Sequence, residues 1–135
     1  MKIRVRAVIV VNGLILLIHR IKEGLEYWVF PGGGVEESDR SPEQALEREC
    51  LEEIGVVVRV DNVFADEIKE DVAERELFYR CEILSGEVGT GKGPEFQPGS
   101  NYKGTYDFQW IPVAELGRYD AKPETIKNKV IEEVT

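Results

Sequence analysis

Three glutamates lie close together in the sequence, at a spacing that fits one face of a helix. Glu49, Glu52 and Glu53 occur in the segment "ERECLEEIG". At about 100° per residue, Glu53 lies about 40° to one side of Glu49 and Glu52 about 60° to the other. Carboxylate oxygens are the ligands that Mg²⁺ prefers in proteins, usually together with water and substrate phosphates. The spacing therefore makes this helix face a candidate site for a divalent cation.

The charge of this helix face needs a partner. Like charges at i,i+3 and i,i+4 destabilise a helix by roughly 0.2–0.5 kcal/mol per pair. Arg48 can reach Glu52 at i+4, but one guanidinium cannot neutralise three carboxylates. The apolar residues Leu46, Cys50 and Ile54 occupy the adjoining arc, so the acidic face borders a buried stripe. A solvated acidic face is the commoner explanation of a glutamate-rich helix, and only the flanking sequence favours a metal site.

That flanking sequence predicts where the helix begins and ends. Ser41 is a typical N-cap, Pro42 suits the first helical position, and Gln44 completes a capping box. Gly55 ends the helix, so its predicted span is about residues 42–54. Before it comes "PGGG", residues 31–34, which predicts a glycine loop leading to the helix N-terminus. Such loops favour phosphate, and Gly33 and Gly34 are its candidate contacts.

The rest of the chain predicts a strand-rich domain. Asn12-Gly13 suits a type I′ turn between two apolar runs, and a third strand follows before Pro31. Residues 85–104 are rich in glycine and predict a long loop, and residues 123–134 predict a helix with Ile126, Val130, Ile131 and Val134 on one side. The predicted strands are 2–11, 14–21, 26–30, 56–68, 76–84 and 106–113.

Composition and charge limit the classes of function. A chain of 135 residues fits a single domain, residues 1–135. The net charge of -9 argues against extended nucleic-acid binding, which needs clustered Lys and Arg. The only two cysteines, Cys50 and Cys81, form no CxxC motif, and the apolar run at 14–18 is far too short to cross a bilayer. We expect a cytoplasmic protein with reduced thiols and no membrane segment.

Residues 34–56 resemble the Nudix box, whose pattern is G-x5-E-x7-R-E-U-x-E-E-x-G-U with U an apolar residue. The matching positions are Gly34, Arg48, Glu49, Cys50, Glu52, Glu53, Gly55 and Val56. One position departs from the pattern, because Arg40 stands where the first glutamate is expected and Asp39 precedes it. Either Asp39 substitutes after a small adjustment of the loop, or the contact is missing. In the family this glutamate supports the box more than it holds the metal.

The resemblance implies an α/β fold, a Nudix-type α/β/α sandwich with a mixed β-sheet between helices. It implies hydrolysis of a nucleoside diphosphate linked to another moiety, with Mg²⁺ or Mn²⁺ as cofactor and a nucleotide-like small molecule as substrate. By analogy Glu49, Glu52 and Glu53 hold the metal and Arg48 orients them, while Glu52 or Glu49 is the general base. Glu95 is a candidate additional metal ligand, with Glu82 and Glu87 as competitors.

Two other functions are compatible with the same fold. The first is a module that binds a nucleotide or RNA without catalysis, and the three retained glutamates and the acidic charge count against it. The second is isoprenoid diphosphate isomerisation, which would need further catalytic Cys and Glu residues beyond Cys50 and Cys81. Dimers are common in the family, and nothing in the sequence decides whether this chain forms a homodimer.

Overall fold

The computed structural model of the chain describes residues 1–91 and 105–134. The strands are β1 (Lys2–Val11), β2 (Leu14–Lys22), β3 (Leu25–Val29), β4 (Gly32–Gly34), β5 (Val56–Lys69), β6 (Glu74–Gly86), β7 (Asp107–Pro112) and β8 (Ala121–Lys122). The helices are α1 (Pro42–Glu53) and α2 (Glu124–Glu133), with short 3₁₀ helices at Glu70–Val72 and Val113–Arg118. The described residues form two compact units, 1–9 with 31–91 and 10–30 with 105–134. That residues 1–135 act as one domain stays a prediction.

The first unit contains a mixed sheet in the order β5, β6, β1, β4. β1 runs parallel to β6 and antiparallel to β4, while β5 is antiparallel to β6. β5 lies at the edge of this sheet and has three register irregularities, after Val57, Val60 and Val63. Such bulges bend a strand and interrupt its ladder of hydrogen bonds.

Local sequence signals determine both ends of α1. The Ser41 hydroxyl accepts a hydrogen bond from the Gln44 N–H at 3.0 Å, and Pro42 opens the helix. Gln44 does not complete the predicted capping box, because its side-chain oxygen accepts from the Arg40 N–H instead of the Ser41 N–H. Gly55 has a φ of 91° and donates to the carbonyl oxygens of Cys50 and Leu51, which ends the helix as predicted.

α1 packs against β4 and β5 through the predicted apolar stripe. Leu46, Cys50 and Ile54 are at most 1% exposed, and they join Val5 and Phe78 in the core of the unit. Burying a side chain of this size contributes about 1.5–3 kcal/mol. The acidic face next to this stripe is therefore held in a fixed orientation.

The second unit is also built on a mixed sheet. β2 pairs antiparallel with the end of β1, with β3 and with β7, and β3 runs parallel to β8. Asn12 and Gly13 both have positive φ, as the predicted hairpin turn requires. α2 packs on β8 and on the 3₁₀ helix at Val113–Arg118 through Ile126 and Val130. Ile131, which was predicted on the buried side, is 38% exposed because it lies at the margin of that face.

The glycine segment differs from its prediction. Instead of a loop, Gly32–Gly34 form strand β4, which pairs with β1 at Arg4, Val5 and Arg6. A Cβ on Gly32 would lie 1.9 Å from the carbonyl oxygen of Val5, so only glycine allows this approach. None of the helices in the two described stretches is long and apolar enough to cross a membrane.

Candidate active site

The last residue of α1 is tied to the first residue of β4. The Glu53 carboxylate accepts a hydrogen bond from the backbone N–H of Gly32 at 2.9 Å, and Glu53 is only 8% exposed. A buried carboxylate requires such donors, because an unpaired charge is very costly inside a protein. This bond joins the acidic face of α1 directly to the glycine strand.

The Glu49 carboxylate lies over Gly33. A Cβ on Gly33 would be 2.5 Å from the carboxyl carbon of Glu49 and 2.6 Å from each of its oxygens. The Glu49 side chain is 17% exposed. Gly33 therefore leaves room for a glutamate of the site. Gly34 is different, because a Cβ there would meet no atom within 4 Å.

Arg48 connects two of the three glutamates to the loop before the helix. Its Nη1 lies 3.1 Å from Glu49 Oε1 and 3.2 Å from Glu52 Oε2, which includes the i+4 pair predicted from the sequence. Nη2 donates to the carbonyl oxygen of Gly34 at 3.2 Å. One guanidinium thus contacts Glu49, Glu52 and the glycine strand.

Asp39 is the main partner on the other side of this guanidinium. Arg48 Nε and Nη2 donate to the two Asp39 carboxylate oxygens at 2.9 and 3.0 Å. The Asp39 side chain is 4% exposed, and its Oδ2 also accepts from the Glu36 N–H at 2.8 Å. The hydrogen bonds from Arg48 hold the pKa of the Asp39 carboxyl below its ordinary value. In return, Asp39 raises the pKa of Arg48, which keeps the guanidinium charged.

The chemistry of these donors fits a hard divalent cation. All three glutamates offer carboxylate oxygens, and their exposure is graded, since the Glu52 side chain is 45% exposed while Glu53 is buried. Over residues 1–91 and 105–134, no three Asp, Glu, His or Cys side chains are gathered closely enough to form a metal site. Glu49 Oε1 and Glu52 Oε2 instead both contact Arg48 Nη1.

The other predicted acidic residues fall outside this cluster. Glu95 belongs to residues 92–104, which are not among the described residues, so its role as a ligand stays a prediction. Glu82 is exposed on β6 and pairs with Arg59 of β5. Glu87 is exposed, and its carbonyl oxygen accepts a hydrogen bond from the Thr90 hydroxyl.

A turn at residues 87–91 covers the end of α1, a contact that the sequence did not predict. The N–H groups of Gly89 and Thr90 both donate to the carbonyl oxygen of Ile54, at 2.9 and 3.2 Å. A Cβ on Gly91 would lie 2.4 Å from the Glu53 carbonyl oxygen. Only the glycine content of this segment signalled a close approach, and it did not identify the partner.

A cavity of about 450 Å³ borders the Asp39–Arg48 pair. It is also lined by Leu51 and Val57, which are 53% and 44% exposed. The remaining lining residues are Ser38, Gln44, Glu47 and Val58.

His19, the single histidine, has a structural environment in the second unit. Its ring stacks on Trp28 at 4.7 Å between centroids, and Nε2 lies 2.7 Å from Glu26 Oε2. Trp28 also donates to the side chain of Gln109 and contacts the Tyr119 ring edge-on. These contacts pack the His19 ring against other side chains of the second unit.

Comparison with known proteins identifies the family. The NUDIX domain model matches residues 1–133. The chain belongs to this family. It is 30% identical over 113 residues to the nucleoside triphosphatase NudI of Escherichia coli O139:H28, which covers 74% of this chain and 72% of that relative.

Solved Nudix structures match the fold. A NUDIX hydrolase from Nitrosomonas europaea superposes with a TM-score of 0.75 at 19% identity, covering 98% of this chain and 71% of that one. An ADP-ribose pyrophosphatase from Streptococcus suis gives 0.60 at 25% identity, covering 83% and 74%. The predicted Nudix-type α/β fold with a mixed sheet is confirmed, and so is the predicted class of enzyme, a Nudix pyrophosphohydrolase.

Proposed function

We propose that this Nudix enzyme is a Mg²⁺- or Mn²⁺-dependent hydrolase that cleaves the diphosphate linkage of a nucleoside diphosphate joined to another moiety, in the cytoplasm. The observation that carries the proposal is the shared contact of Glu49 and Glu52 with Arg48, beside the buried Glu53. Three carboxylates on one helix face, together with a single arginine, leave a net negative charge that a divalent cation neutralises.

The glutamates have two proposed roles in the site, metal binding and proton transfer. Glu49, Glu52 and Glu53 would hold the metal. Bound there, the metal would neutralise phosphate charge and lower the pKa of the attacking water. Either Glu52 or Glu49 would take a proton from the attacking water, and Arg48, whose Nη1 contacts both glutamates, would orient them. Glu53 is held in place by the Gly32 N–H.

The glycine strand would face the substrate phosphates at Gly34. The open space over its Cα supports a close approach of a phosphate, whereas the corresponding space at Gly33 contains the Glu49 carboxylate. Gly33 would then affect hydrolysis by leaving space for the Glu49 carboxylate. We retain Gly34 as the candidate phosphate contact of the strand.

The names of the relatives support the substrate class. NudI is a nucleoside triphosphatase, and the Streptococcus suis protein is an ADP-ribose pyrophosphatase. The substrate in each of these names is a compound in which a nucleoside carries at least two linked phosphates. We therefore propose a small nucleotide-like substrate for this chain.

The alternatives have less support. A module without catalysis leaves the retention of Glu49, Glu52 and Glu53 on one helix face unexplained. Isomerase chemistry would need a reactive thiol, but burial raises the pKa of Cys50 well above its ordinary value and that of Cys81 to about 12. Such thiols are poor acids and poor nucleophiles at neutral pH.

The test is a panel of nucleoside triphosphates, nucleotide sugars and dinucleoside polyphosphates, assayed with Mg²⁺ and Mn²⁺ in ¹⁸O-water. Label in one product identifies the phosphorus attacked. Glu49→Gln should lower turnover by orders of magnitude while the fold persists. Glu47→Gln is the matched control, since it removes the same charge from an exposed position on the same helix. Equal turnover of wild type and Glu49→Gln, or no turnover of any compound, would contradict the proposal.

A further inference from the structure

The Nudix pattern requires a carboxylate at position 40, where this chain has an arginine. Arg40 is exposed, and its backbone N–H is bonded to the Gln44 side chain at 2.6 Å. A positive side chain cannot support Arg48. One position earlier, Asp39 supplies a carboxylate that forms a two-pronged ion pair with Arg48.

A tight turn from Glu36 to Asp39 places the Asp39 carboxylate beside Arg48. The Asp39 N–H donates to the Glu36 carbonyl oxygen at 3.0 Å, and the Asp39 carboxylate accepts from the Glu36 N–H at 2.8 Å. This reciprocal pair of bonds fixes the carboxylate on the inner side of the loop, where its side chain is 4% exposed. Burial and double hydrogen bonding make this pair stronger than an ordinary surface ion pair.

Asp39 determines which donors of Arg48 remain for the glutamates. Nε and Nη2 of Arg48 bond to Asp39 and to the Gly34 carbonyl oxygen, so Nη1 is the nitrogen that contacts Glu49 and Glu52. A guanidinium has five N–H donors in a rigid fork. Without Asp39, the whole fork can turn toward the two glutamates.

Asp39 also neutralises the charge of Arg48. With the pair formed, Glu49, Glu52 and Glu53 present three negative charges to a cation. Without it, Glu36 at 3.8 Å is the loop carboxylate left beside the guanidinium, which then offsets part of the glutamate charge and competes with the cation for the same oxygens. Both effects weaken metal binding.

We propose that Asp39 is a positioning residue that sets the metal affinity of the site, in place of the glutamate that the Nudix pattern has at position 40. This inference rests on the proposed function. Asp39 orients the Arg48 guanidinium relative to Glu49 and Glu52. This role of Asp39 explains why the chain tolerates an arginine at position 40.

The experiment measures Mn²⁺ affinity directly, from the electron paramagnetic resonance signal of free Mn²⁺. Asp39→Asn keeps the size of the side chain and removes its charge. It should weaken Mn²⁺ binding by about 10- to 100-fold, the usual loss when an outer partner of a metal ligand is removed. Saturating Mn²⁺ should restore most of the kcat.

The matched control is Asp66→Asn in the same unit. Asp66 also forms a two-pronged ion pair, with Arg75 at 2.8 and 2.5 Å, and the two residues lie on β5 and β6 instead of α1. This variant changes the net charge by the same amount, so its Mn²⁺ affinity should equal that of wild type. The decisive variant is D39A/R40E, which moves the carboxylate to the position of the family pattern and should bind Mn²⁺ far more tightly than D39A.

Each outcome either supports the inference or overturns it. Wild-type Mn²⁺ affinity in Asp39→Asn, or a folded D39A/R40E no better than D39A, overturns the inference and leaves the proposed function standing. If Asp39→Asn does not fold, D39A/R40E decides alone: wild-type affinity supports the inference, and an affinity about ten times weaker overturns it. Failure of wild type to bind Mn²⁺ or to hydrolyse any substrate of the panel contradicts the proposed function itself.

Discussion

Glu53 and Glu76 are the two buried charged residues among those described, and their surroundings differ. Glu76, on β6, lies between Arg6 at 2.9 Å and Lys69 at 3.3 Å. Glu53 accepts a backbone N–H from Gly32 and shares its helix face with Glu49 and Glu52. Glu76 therefore has its countercharge within the fold. Among the described residues, Arg48 contacts the acidic face beside Glu53, and it is also paired with Asp39.

The comparison separates two reasons for burying a carboxylate. A buried carboxylate whose countercharges lie within the fold serves its stability, and removing one partner leaves the other uncompensated. A buried carboxylate on an acidic face serves a cation supplied from outside. The same substitution at the two positions should therefore change different quantities.

The largest effect is expected for Glu53→Gln. It should lower kcat/KM for hydrolysis by roughly 100- to 1000-fold, because it removes one charged group from a preorganised site. Gln keeps an oxygen that can accept from the Gly32 N–H, so the melting temperature should change little. Steady-state kinetics and circular dichroism melting measure the two quantities. A large loss of stability with little loss of activity would show that Glu53 is structural, like Glu76.

Glu76→Gln should show the opposite result. It should lower the free energy of unfolding by about 3 kcal/mol, at the lower end for a broken buried pair because Arg6 and Lys69 are 21% and 42% exposed. Urea denaturation measures this loss. At a temperature where the variant is folded, its kcat/KM should equal that of wild type. A large drop in kcat/KM would show that Glu76 contributes to the active site.

A pair of glycine substitutions sharpens the comparison. Gly33→Ala should lower kcat/KM by roughly 100-fold, because its Cβ would displace the Glu49 carboxylate, and a shift of about 1 Å in a site has this cost. Stability should change little, since the displaced atoms are the far end of a flexible side chain. Gly34→Ala is the matched control for folding, because its Cβ meets no atom within 4 Å. Wild-type kcat/KM in Gly33→Ala would contradict the proposed role of Glu49.

The smallest effect is a dependence of stability on pH. The folded-state pKa of Asp39 is depressed, so its contribution to stability is fully present above the unfolded pKa, near the ordinary value of 3.8, and is lost as pH falls through the folded pKa. The difference in unfolding free energy between wild type and Asp39→Asn should be constant from neutral pH down to about 5 and should shrink below 3.8. A difference that grows in acid would have the wrong sign.

Local signals made much of the fold predictable. Ser41, Pro42 and Gly55 act within a few residues of the helix ends, and Asn12-Gly13 has the backbone freedom that its turn requires. The acidic face and the apolar stripe of α1 followed from helical periodicity alone.

Features that depend on distant partners were not predictable. The pairing of Gly32–Gly34 with β1 depends on Arg4 to Arg6, which a glycine run does not reveal. The sequence also left open whether Asp39 replaces the missing glutamate, because a shift of one residue depends on the turn at Glu36. The close approach of Gly91 to the carbonyl of Glu53 joins residues nearly forty positions apart, and no local pattern encodes it.

The register irregularities of the edge strand β5 affect how readily copies of the chain associate at high concentration. A straight edge of fourteen residues would present a continuous row of amide and carbonyl groups to a neighbouring molecule. The irregularities after Val57, Val60 and Val63 divide that row into runs too short to guide the growth of a shared sheet. Exposed valines at positions 57 and 63 can therefore remain on this edge without seeding fibres at high concentration.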